Sequence, residues 1–84
     1  MLRITKASSG SVTKIKIEGR LASNDVSELE MACQSVQGSI GLDLSDLTAT
    51  DAEGVRTLKR LLAGGARLLA ASPYMKALLE SKDT

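Results

Sequence analysis

The sequence predicts a single small α/β domain over residues 1–84, with elements in the order β-β-α-β-α-β-α. Three observations predict it. The hydrophobic period alternates along the chain between two, which marks a half-buried strand, and three to four, which marks an amphipathic helix. Turn-forming breaks rich in Gly, Ser and Asn fall where the period changes. The first two strands are joined by a short turn, whereas helices separate the later ones. This implies an antiparallel hairpin followed by right-handed crossovers. The expected sheet is mixed, with its helices mainly on one face.

Leu2 and Ile4 alternate with Arg3 and Thr5 as a short first strand, and Ser8-Ser9-Gly10-Ser11 has turn composition. Thr13, Ile15 and Ile17 alternate with Lys14, Lys16 and Glu18, a strand with one charged face. Its lysines read as edge protection. Gly19-Arg20-Leu21 then leads through Ala22-Ser23-Asn24 into a helix, with Asp25 and Glu28 as a capping pair. Val26, Leu29, Cys33 and Val36 form its apolar stripe, Met31 falls off that stripe, and Gln37-Gly38 ends it.

The central stretch organises the rest. Ile40, Leu42 and Leu44 alternate with Gly41, Asp43 and Ser45, as in a strand with one buried face. The polar run 45–51 reads as a turn. Thr50-Asp51-Ala52-Glu53 fits a capping box, in which the threonine and the glutamate each satisfy an orphan N–H. Val55, Leu58, Leu61 and Leu62 then line one helix face, and Gly64-Gly65 stops it. Residues 67–71 give a last strand with Leu68 and Ala70 on one face. Ser72-Pro73 starts a last helix with proline at its first position, and Tyr74, Ala77 and Leu78 are expected to pack inward. The polar tail 81–84 reads as frayed.

Composition excludes several function classes. Eleven basic and ten acidic residues are intermixed, leaving a net charge of +1, and Tyr74 is the only aromatic residue. Nucleic-acid binding usually needs a basic stripe and often stacking rings. There is no histidine, so no Ser-His-Asp or Cys-His catalytic arrangement and no histidine zinc site exists within the chain. Cys33 has no partner for an internal disulfide, and no signal-peptide pattern is visible; both point to a reducing cytoplasm. On its apolar stripe, Cys33 reads as a small buried hydrophobe. No apolar run approaches the ~20 residues of a membrane span. Asp43, Asp46 and Asp51 raise a divalent-cation reading, but strand alternation and turn placement gather no further oxygen ligands around them. No metal or cofactor is expected.

The pattern LDLSDLTATDAEGVRTL resembles the signature of the STAS domain, the fold of bacterial anti-sigma-factor antagonists. In that family a buried strand ends in an Asp-Ser-Ser-Gly-Leu-like turn that starts a helix. Asp51 and Gly54 match the first and last of the four turn positions, and Val55 matches the Leu. Gly19-Arg20-Leu21 is similar to the family's GRL segment. Gly65-Ala66-Arg67-Leu68-Leu69 with its Ser-Pro helix start is similar to the last strand and helix. The resemblance spans roughly residues 15–79.

It implies a non-enzymatic protein-interaction module. The partner would be an anti-sigma factor that is also a kinase-like ATPase. The contact would involve Ser23, Asn24, Thr50, Asp51, Ala52, Glu53 and Arg56, with Glu53, Arg56 and Lys59 exposed on the central helix. The family's phosphoacceptor serine follows the Asp; here that position is Ala52. Control by serine phosphorylation is therefore not expected. Thr50 is taken up by its cap, and Thr57 lies a turn further along. Glu53 as a permanent phosphate mimic is a minority alternative, since one carboxylate carries less charge than a phosphate. The alternative function is a STAS subunit of a membrane lipid-transport complex, docking on its cytoplasmic ATPase.

Overall fold

The computed structural model describes residues 2–36 and 38–80. The elements are β1 (Leu2–Ser9), β2 (Val12–Leu21), a 3₁₀ turn (Ser23–Asp25), α1 (Val26–Gln34), β3 (Ser39–Leu44), β4 (Leu47–Thr50), α2 (Ala52–Ala63), β5 (Arg67–Ala71) and α3 (Pro73–Glu80). This is a small α/β domain with a mixed sheet of five strands and three helices, in the expected order with one strand added. The expected tail 81–84 and the helix-stop residue Gln37 lie outside the described residues.

The hairpin is regular. β1 pairs antiparallel with β2 from Leu2↔Gly19 to Ser9↔Val12, and the turn closes at Gly10 with φ +62°. β1 runs four residues beyond the alternation of Leu2 to Thr5, because polar Lys6 to Ser9 can still pair backbone to backbone. β3 lies parallel to the first half of β2, and β5 parallel to β3.

The main correction falls in the run 45–51. It is a turn only at Ser45 and Asp46; residues 47–50 form β4, parallel to the second half of β2. The two short strands β3 and β4 therefore flank β2 on the same side, one after the other. Leu47 is 2% exposed and so belongs to the core, and Thr48 Oγ1 donates to the Gly19 carbonyl at 2.8 Å. One leucine among polar residues gives too short a pattern to read as a strand. It also follows that β2 is interior, so Lys14 and Lys16 do not guard an edge. Instead Lys14 faces Asp43 on the neighbouring β3 at 3.9 Å, and Lys16 faces Asp46 in the turn between β3 and β4 at 3.1 Å.

Register assigns the two faces. Ile15, Ile17, Leu42 and Leu44 are fully buried and face the helices, with Leu2 and Ile4 packed against them. Leu29 and Cys33 of α1, Leu58 of α2 and Met75 of α3 close this core. Val26 and Val36 of the first stripe, and Val55, Leu61 and Leu62 of the second, are half-buried around it. The opposite face carries Lys14, Lys16 and Asp43, and Leu69 there covers Gly41, where a Cβ would meet Leu69 Cδ1 at 2.6 Å. The helices are thus on one face.

The last helix is rotated from its expected setting. Met75 is completely buried and Leu78 half-buried, while Tyr74 is 59% exposed and Ala77 faces solvent. The inward face follows Met75, Leu78 and Leu79, which obey the helical spacing as well as the triad 74, 77 and 78 does. A tyrosine on the surface keeps its hydroxyl in water, whereas the apolar Met75 gains from burial.

Candidate functional site

The residues singled out by sequence meet where the end of β2, the 3₁₀ turn, the end of β4 and the start of α2 converge. The junction is built by Asp51. Its backbone is extended (φ −92°, ψ −178°), the usual conformation of the residue that caps a helix. Its Oδ1 accepts from the Gly54 N–H at 2.9 Å, and its Oδ2 accepts from the Ser23 N–H at 2.8 Å. One side chain therefore caps α2 and holds the 3₁₀ turn against it. The Asp51 N–H donates to the Leu21 carbonyl at 3.2 Å, which fixes the same residue to the end of β2.

The cap is thus Asp51, not the Thr50–Glu53 box expected from sequence. Thr50 is the last residue of β4, and its Oγ1 donates to the Asp51 carbonyl at 3.2 Å instead of accepting an N–H. Glu53 does not reach back to the helix start; it forms an ion pair with Arg56 one turn along α2. Aspartate and threonine are both good caps, and strand pairing of residue 50 decides between them. A similar correction applies to α1. Asp25 Oδ2 accepts from the Ala22 N–H at 3.2 Å, closing the 3₁₀ turn, and forms no cap with Glu28. α1 ends at Gln34, before Gln37-Gly38, where the Ser35 hydroxyl donates to the Ala32 carbonyl at 2.8 Å.

Ser23, Asn24, Asp51, Ala52, Glu53 and Arg56 are exposed, with Thr50 half-buried beside them. Lys59, expected on the open side of α2, is half-buried. Two residues outside the expected contact set complete the junction. Gly54 is buried, and a Cβ there would stand 2.0 Å from Thr50 Oγ1 and 3.1 Å from the Leu21 carbonyl oxygen. Thr57 is 0% exposed and donates to the Glu53 carbonyl at 2.9 Å. A glycine in the first turn of an otherwise good helix was the legible signal for the first. Thr57 gives no such signal.

Electrostatics follow the hydrogen bonds. The N–H groups of Gly54 and Ser23 hold the Asp51 carboxyl below its ordinary value. Asp43 is lowered likewise, by the hydroxyl and N–H of Ser45 at 2.7 and 3.1 Å. Lys16 is raised by its bond to Asp46. Burial pushes the Cys33 thiol up, away from the thiolate that a nucleophile needs. The three aspartates raised as cation ligands are each committed elsewhere: Asp43 to Ser45, Asp46 to Lys16 and Asp51 to its two N–H groups.

No protein-family model matches the chain, and no curated protein matches it. The junction itself offers a hydrogen-bonded, mixed-charge surface around an exposed methyl group, that of Ala52. Among the described residues no helix is long and apolar enough to cross a membrane.

Proposed function

We propose that this chain is a STAS-like, non-enzymatic interaction module that regulates a partner protein by direct binding at the Asp51 junction. The observation that supports this reading most is the division of the Asp51 carboxylate. One oxygen goes to Gly54 and the other to Ser23, twenty-eight positions away in sequence. This fixes Ser23 and Asn24 next to Ala52, Glu53 and Arg56 before any partner arrives, and preorganisation of this kind lowers the entropic cost of association.

In this reading the partner is an anti-sigma factor with a kinase-like ATPase domain, in a bacterial cytoplasm. Binding is set by concentration or by the partner's own state, because Ala52 offers no hydroxyl. Thr57 is buried with its hydroxyl bonded to the helix backbone, so it does not replace the missing serine. The same absence suits the second reading, docking on a transporter ATPase, which needs no phosphate switch.

Affinity capture from native cytosol with the wild-type chain and with Arg56→Glu, followed by mass spectrometry, tests the proposal. A histidine-kinase-like ATPase retained by wild type and lost with Arg56→Glu supports the first reading. A transporter ATPase with the same dependence supports the second. Incubation of the recovered kinase with ATP then separates docking from switching. The wild-type chain is expected to stay unmodified and Ala52→Ser to gain phosphate. Stoichiometric phosphate on Thr50 or Thr57 that releases the partner would overturn the switching part.

A further inference from the structure

We draw no further inference here: the strongest candidate, the groove between α1 and α2 lined by Cys33, Ile40, Leu61 and Ala66, carries nothing, because its two charged lining residues, Glu30 and Arg60, pair with each other at 2.9 Å and nothing in the structure shows what covers it.

Discussion

The starts of α2 and α3 use the same local device and reach different ends. In each, the residue before the helix accepts the N–H three positions on: Asp51 from Gly54 at 2.9 Å, Ser72 from Met75 at 3.2 Å. Aspartate has a second oxygen. At α2 that oxygen binds Ser23 and ties the helix to a distant turn; the Ser72 hydroxyl has one oxygen, used within its own helix. The packing differs in step. α2 buries Gly54, Thr57 and Leu58, whereas α3 buries Met75 alone. A cap fixes where a helix begins, and the second bond fixes where it sits. The difference makes the α2 start suited to presenting a surface.

If α2 is the more deeply anchored helix, its core residue should dominate stability. Leu58 is 0% exposed, and Leu58→Ala should cost ~2–5 kcal/mol by lost burial and a residual cavity. Urea denaturation reads it, and a change below about half a kcal/mol would mean the helix is held by something other than this face. The junction comes next. Gly54→Ala gains about 1 kcal/mol of helix propensity, but the added methyl meets Thr50 Oγ1 and the Leu21 carbonyl. Crowding of that kind costs ~1–3 kcal/mol, so a net loss is expected. Thr50→Ala in the same chain should recover part of it, because the nearest atom is removed. At α3, Ser72→Ala should cost about 1 kcal/mol, a cap's ordinary worth, with no effect on partner binding.

The acid limb sharpens the comparison, since Asp51 titrates and Ser72 does not. The folded-state value of Asp51 is lowered by the Gly54 and Ser23 N–H groups. Its contribution is therefore complete above the unfolded aspartate value near about 3.9. It is lost as pH falls through the lower folded value. Asp43 acts with the same sign. Asp51→Asn retains one acceptor oxygen and loses the charge, so stability measured from pH 7 down to acid should fall less steeply than in wild type. Ser72→Ala should leave that slope unchanged. Identical slopes for wild type and Asp51→Asn would mean that the carboxylate is not held by these bonds in solution.

The order of elements was legible because long periodic segments, such as Thr13 to Ile17 and Val55 to Leu62, carry their period in the sequence. The local geometry of the candidate residues was legible in part: Ser23, Asn24, Asp51, Ala52, Glu53 and Arg56 are exposed, and a hydrogen bond ties Ser23 to Asp51. What was not legible depends on distant partners. β4 becomes a strand because Gly19 to Leu21 pair with it, and nothing in Leu47 to Thr50 announces that. Thr50 gave up its capping role to that pairing. Asp51 binds Ser23 across the fold, and local spacing points only to Gly54. α3 had two apolar faces of similar quality, and the sheet decided which one turned inward.

The smallest expected change in stability belongs to the residue expected to matter most for binding. Arg56 pairs with Glu53 one turn away, and both side chains are about half exposed, at 56% and 51%. Exposed pairs of this spacing contribute a few tenths of a kcal/mol. Arg56→Glu replaces the pair with two like charges, so it should shift unfolding by no more than about half a kcal/mol. Its effect on a partner is of another kind. In the proposed docking mode, a guanidinium beside the exposed Ala52 methyl would give directed donors to an acceptor on the partner, and reversing its charge would place a carboxylate where those donors stood. Titration calorimetry against the captured ATPase should show markedly weaker binding for Arg56→Glu and unchanged binding for Lys76→Glu, an exposed reversal on α3. Both variants should keep the wild-type unfolding midpoint. If Arg56→Glu binds as tightly as wild type while Lys76→Glu does not, the docking surface belongs to α3, and the anchored start of α2 serves the fold alone.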